Sequence, residues 1–178
     1  MRSKDALSIS IGVLGGVATA LTATLIKVPV WVVFIAWASF FVLGGGTLGF
    51  IRSVAANLTG IAIATVTLLV IAVLDGGTLV AAIAVGVGSA AMVQASKIDL
   101  VSVTPAIVFG FASTVGTVAV TGLPVDSWSF SHPTLQAACA MVLGAAFGYA
   151  SEMLGAALTA GPEAEPEPVT GPELGVQP

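Results

Sequence analysis

The sequence predicts an all-α polytopic membrane protein of six transmembrane helices, and three observations carry that expectation. Charged residues make up only 8% of the chain and fall at nearly even intervals: Lys4/Asp5, Lys27, Arg52, Asp75, Lys97/Asp99, Asp126 and Glu152. The uncharged runs Ala6–Ile26, Val28–Ile51, Ser53–Leu74, Gly76–Ser96, Leu100–Val125 and Ser127–Ser151 are each long enough, at ~1.5 Å rise per residue, to cross a ~30 Å hydrocarbon layer. The mean hydropathy of +1.08, with 57% hydrophobic residues, lies far from the roughly 25% charged composition of soluble domains.

The first run follows Arg2 and Lys4 and contains Ala18-Thr19-Ala20, which superficially resembles a signal peptide. A cleavable signal has an apolar region of ~7–15 residues. This one continues to Ile26, so a retained helix is expected. In the second run Pro29 opens the span and Trp31 suits the outer interface. Near its end, Gly44-Gly45-Gly46 costs a helix roughly 1 kcal/mol per glycine relative to alanine. Either the helix ends there, or it breaks at membrane depth and offers backbone carbonyls to a cavity.

Spans three and four carry the polar residues Asn57 and Gln94, and span six carries Gln136 and Glu152; all four are helix-packing or rim candidates. Glu152 reads first as an ordinary interfacial carboxylate, and could pair with Arg52 or Lys97 at the cytoplasmic rim. Pairs at helix-contact spacing, Gly12/Gly16, Gly45/Gly49 and Gly144/Gly148, predict close packing of spans one and six. In span five, Ser113, Thr117 and Thr121 recur every four residues beside Thr114. Cys139 is the only cysteine, so no internal disulfide can form, and it reads as a small buried apolar residue.

Alternating the cations between sides places Arg2, Lys4, Arg52 and Lys97 together and Lys27 alone opposite. The positive-inside bias then puts both termini in the cytoplasm. The turns fall at about Lys27–Pro29, Thr47–Ser53, Asp75–Thr78, Lys97–Val101 and Gly122–Pro133, the last an outer cap. Residues 1–160 thus form a transmembrane domain. Residues 161–178, rich in Pro and Glu, read as a disordered acidic cytoplasmic tail.

Pro29 with Val33-Phe34 and Ala38-Ser39 in span two matches Pro105 with Val108-Phe109 and Ala112-Ser113 in span five. Spans three apart have opposite topology, so such halves would form a 3+3 inverted repeat, an arrangement found in many carriers.

No Asp, Glu, Lys, Arg or His falls near the centre of any span, which argues against proton coupling and charged substrates. His132 has no other His and no Cys within ligand spacing, so a metal site or a catalytic triad has too few candidates, and no cofactor motif is seen. An enzyme is not expected, no cofactor is implied, and without a basic patch neither is nucleic acid. Lipid is the expected surrounding. Two roles fit: a homo-oligomeric passive channel or facilitator for a small neutral solute, lined by Ser39, Gly44, Gly45, Gly46, Ser113, Thr114 and Thr117; or a non-transporting accessory or scaffold subunit. A packed core without a polar path between the two faces favours the second.

Three stretches carry a family resemblance: Phe40-Phe41-Val42-Leu43-Gly44-Gly45-Gly46-Thr47-Leu48-Gly49; Met92-Val93-Gln94-Ala95-Ser96-Lys97 running on to Pro105 and Phe109-Gly110; and Gly144-Ala145-Ala146-Phe147-Gly148-Tyr149-Ala150. Together they resemble the YcdZ-like small inner-membrane proteins, the family of domain of unknown function 1097, over roughly Ile9–Gly155. The resemblance implies a bacterial cytoplasmic-membrane location and a compact multi-span fold. It implies no activity and assigns no functional residue.

Overall fold

The computed structural model describes residues 3–126, 129 and 131–159. Among these residues it contains no strand and six α-helices: α1 (Ser3–Leu21), α2 (Val30–Val42), α3 (Gly46–Leu74), α4 (Gly77–Ala95), α5 (Thr104–Thr121) and α6 (Pro133–Thr159). A π turn, Thr22–Ile26, extends α1. All but α2 are long and apolar enough to cross a membrane. The chain is therefore a multi-pass helical membrane protein. At 13 residues α2 reaches about 20 Å.

The second and third helices meet elsewhere than the charge spacing predicts. The expected loop at Thr47–Ser53 is helical, and Arg52 lies inside α3. The turn is instead Leu43–Gly45, closed by hydrogen bonds from Gly44 N to Phe41 O (3.0 Å) and from Gly45 N to Phe40 O (3.2 Å). This is a Schellman closure, which needs a left-handed residue after the helix. Gly44, Gly45 and Gly46 have φ of 91°, 69° and 62°, so the triplet both ends α2 and starts α3.

The sixth helix starts where the expected Gly122–Pro133 turn ends. It begins at Pro133, whose missing N–H and fixed φ suit the first helical position. It then runs past Glu152 to Thr159. The proposed tail, residues 161–178, lies outside the described residues, as do Trp128 and Phe130 of the expected outer cap.

Two helix pairs build the centre, α3 on α5 and α2 on α6; α1 flanks α6 and α4 flanks α3. In lipid, where burial gives helices little drive to associate, small residues permit the close approach that does. A Cβ on Gly60 would overlap the Ile107 carbonyl, and one on Gly110 would overlap the Asn57 carbonyl. Gly144 lies equally close to the Val33 carbonyl, and Gly148 lies against Phe40. Gly144 and Gly148 therefore serve α2, not α1.

Helix α1 does pack on α6, but through Ala6, Ser10 and Ala18, which are fully buried. A Cβ on Gly12 or Gly16 would meet nothing within 4 Å, so this pair faces outward. The difference is one of angular phase, because Ala6, Ser10 and Ala18 occupy a different stripe of the same helix.

Cys139 is exposed rather than buried. Helix α6 turns Ala137, Ala140, Met141 and Gly144 inward, which leaves position 139 on the outer face. Trp31 is half-buried, and its ring closes over Gly116 of α5.

Candidate functional site

Close helix approach brings three polar side chains into one ring. Ser39 Oγ donates to Asn57 Oδ1 (3.2 Å), Ser53 Oγ donates to Ser39 Oγ (3.0 Å), and Asn57 Nδ2 donates to Ser53 Oγ (3.3 Å). Each member both gives and receives, and all three are 0% exposed. A closed ring answers the high cost of burying a polar group unpaired.

The span-five stripe is satisfied differently. Thr114 Oγ1 donates to the Gly110 carbonyl (3.0 Å) and Thr117 Oγ1 to the Ser113 carbonyl (2.7 Å), the self-bonding that hydroxyls find within a helix. Ser113 Oγ is fully buried and has no hydrogen-bond partner. Ser39, Ser113, Thr114 and Thr117 are each 0% exposed. Among the described residues, none of these four side chains reaches solvent-accessible space.

A second group ties three helices together. Trp37 Nε1 donates to Ser151 Oγ (2.9 Å), which donates to Gly148 O (2.7 Å), while Ser10 Oγ donates to Ser151 O (2.6 Å). Trp37 is also stacked with Phe34 and Phe147.

At the glycine turn, Glu152 Oε2 accepts from Gly46 N at 2.7 Å. A carboxylate at the start of α3 satisfies a free N–H and complements the helix dipole. Its hydrogen-bond partner is thus the turn rather than Arg52 or Lys97, the pairing the sequence left open. A Cβ on Gly45 would come 2.6 Å from Glu152 Oε1, so the glycines here also make room for the carboxylate. Tyr149 stands edge-on to Phe40 and Phe50 beside it.

The remaining candidates are scattered. Gln94 is exposed on α4, and Gln136 Nε2 donates to Ser131 O (2.8 Å). His132 Nδ1 accepts from Thr134 N (3.3 Å), so a neutral ring carries its proton on Nε2, which lies 3.2 Å from Val125 O. It helps anchor the entry to α6. Among the described residues no cluster of three His, Cys, Asp or Glu could hold a metal.

Two cavities open sideways. One of about 570 Å³ lies between α3 and α4, and a shallow one of about 490 Å³ lies between Ile26 and the Cys139 face of α6. None of the candidate residues lines either.

Sequence reasoning found Ser39 and Asn57 but missed Ser53, Ser10, Trp37 and Ser151. For Ser53 a signal existed, because it precedes Asn57 by one helical turn and shares its face. The partnership of Trp37 with Ser151 joins positions far apart in the chain, and no local pattern announces it.

A family model described as a protein of unknown function (DUF1097) matches residues 8–156. That stretch contains the serine–asparagine ring, the Trp37–Ser151 group and Glu152. No curated protein and no solved structure matches the chain.

Proposed function

The chain belongs to the DUF1097 family of proteins of unknown function, and from its geometry we propose that it is a non-enzymatic accessory or scaffold subunit of a bacterial cytoplasmic membrane, built from two inverted three-helix halves. The observation that carries this reading is the dryness of the polar centre. Every hydroxyl expected to line a path is 0% exposed, and glycines at Gly60, Gly110 and Gly144 close the helix crossings backbone to backbone.

In this reading α2 is a sixth, short pass and both termini are cytoplasmic. Its shortness is tolerable because irregular backbone at membrane depth is permitted where protein covers it, and α2 packs on α6, α3 and α5.

The halves are supported by the packing. Helix α3 meets α5 as α6 meets α2, and α4 flanks α3 as α1 flanks α6. Gly60 faces the Ile107 carbonyl as Gly144 faces that of Val33. That register pairs Ser39 with Ser113 and Trp37 with Phe111, and on the partner helices Asn57 with Met141, Ser53 with Ala137 and Thr67 with Ser151. It keeps the sequence match of Ala38-Ser39 with Ala112-Ser113 and shifts that of Val33-Phe34 by one residue. It also accounts for Ser113: where Ser39 has Ser53 and Asn57, the paired positions are Ala137 and Met141, which offer no hydrogen bond.

A homo-oligomer fits the outward small-residue faces of α1 and α4, where Gly12, Gly16 and Gly86 meet nothing within 4 Å.

The test is flux. Vesicles reconstituted with the full chain should pass water, glycerol and urea no faster than protein-free vesicles in stopped-flow light scattering. Rates above that background would overturn the scaffold reading. One observation favours a second reading, a facilitator for a small neutral solute that opens between the halves: the partnerless Ser113 Oγ, costly to bury unless something comes to meet it. A flux lowered by Ser113→Val would support it.

A further inference from the structure

The larger cavity is a slot with a particular shape. Its walls are Ala62, Val66, Val70 and Leu74 along α3, and Val80, Ile83, Val87 and Ala91 along α4. Thr67 belongs to it too, but its hydroxyl is committed to Ile63 O at 2.8 Å. The slot therefore offers no free donor, and a single hydroxyl oxygen as acceptor. Water is excluded from such a space, since a stable buried water needs two to four polar partners.

The slot also has a defined depth. On α3 it runs from Ala62 to Leu74, the C-terminal half of the 29-residue helix. At ~1.5 Å per residue that is about 18 Å, close to the ~15 Å of one leaflet of a ~30 Å hydrocarbon layer. Its Leu74 end lies beside the Asp75–Gly76 turn, where a headgroup would lie, and its Ala62 end would then fall near mid-membrane.

Its volume is too small to house a helix. At the floor a Cβ on Gly88 would come 2.6 Å from Thr67 Oγ1 and 3.2 Å from the Phe111 ring. The hollow above that floor, about 570 Å³, is well under the roughly 1,400 Å³ filled by an ~18 Å length of helix ~10 Å across, whereas a hydrocarbon chain fits. The matching place on the other flank is closed, because there Ser10 and Trp37 converge on Ser151.

We propose that the α3–α4 slot is a binding site for a single phospholipid acyl chain, held in place along one leaflet and distinct from the lipid that merely surrounds the protein. An apolar void loses dispersion contacts on every wall, and one chain of about 570 Å³ capacity restores them. The site stands whether the protein is a scaffold or a facilitator.

The full chain is reconstituted in phosphatidylethanolamine/phosphatidylglycerol vesicles doped with a phospholipid carrying a mid-chain diazirine, illuminated, digested and mapped by mass spectrometry. Adducts on Val66, Val70, Ile83 and Val87 should exceed those on the open α1 positions Val13 and Val17 at least fivefold. Ala84→Leu and, separately, Ala91→Leu should cut the slot adducts at least threefold while leaving those on α1 unchanged. Equal labelling of both faces, undiminished labelling in two folded filled variants, or disulfide-linked dimers through Val70→Cys in a Cys139→Ser background would each overturn the proposal, the last by giving the slot to a second copy.

Discussion

The indole N–H of Trp37 donates to the hydroxyl of Ser151 at 2.9 Å across the α2–α6 boundary. The same serine receives Ser10 of α1 at its carbonyl, so one position orients three helices. Trp37 is only 3% exposed, and its N–H has no solvent to turn to.

Ser151→Ala should therefore cost more than an ordinary surface change. A buried donor left without an acceptor loses about 1–3 kcal/mol, and measured side-chain pairs within membranes average nearer ~0.6 kcal/mol. A loss of roughly 1 kcal/mol in a reversible unfolding titration is expected, with a shift in tryptophan emission. Ser151→Thr should recover most of it.

Gly60→Ala and Gly110→Ala should be far more damaging than their size suggests. Each Cβ would strike a backbone carbonyl of the facing helix, which cannot swing aside as a flexible side chain can. Overpacking commonly costs 1–3 kcal/mol, and these two should reach or exceed about 3 kcal/mol, read as a lower melting temperature in detergent. Gly12→Ala and Gly86→Ala, both open, should change the melting temperature of the isolated protomer little.

Glu152→Ala should loosen the turn between α2 and α3. The Gly46 N–H loses its acceptor and α3 loses a favourable charge at its start, an effect typically worth 0.3–1 kcal/mol and up to about 2 kcal/mol when partly buried. Amide exchange at residues 44–47 should quicken. Glu152→Gln, which keeps an acceptor oxygen without the charge, should fall between the alanine variant and the wild type.

Sidedness gives a fourth prediction. In a chain with Cys139 replaced by serine, cysteines at Lys27 and Asp75 should react with an impermeant maleimide from one side of the membrane, and one at Lys97 from the other. Reaction of the Asp75 and Lys97 positions from the same side would remove α4 as a crossing helix and with it the inverted halves.

The number of helices was legible in the sequence because charge is excluded from hydrocarbon, so each charged site brackets a run. Their ends were legible where a backbone device marked them, as Gly122, with φ of 65°, and Pro133 bound the expected turn between α5 and α6. Asp75, with φ of 43°, ends α3 where the charge lies. Arg52 misled, because a long side chain near a helix end can carry its head to the interface, and the glycines six to eight positions earlier had already turned the chain. Inward faces were legible for α5, whose hydroxyl spacing matches its buried stripe. They were illegible for α1, where Gly12/Gly16 and Ala6/Ser10/Ala18 are equally good small-residue stripes and only the neighbouring helix chooses between them.

The outward aspect of Cys139 gives the native molecule a spectroscopic foothold. As the sole thiol, it can carry a nitroxide or a fluorophore with no prior engineering, at the edge of the shallow hollow near Ile26. Oxygen and nickel-chelate accessibility of that nitroxide would report its immersion depth, and spin-spin broadening would reveal how near another protomer's α6 comes.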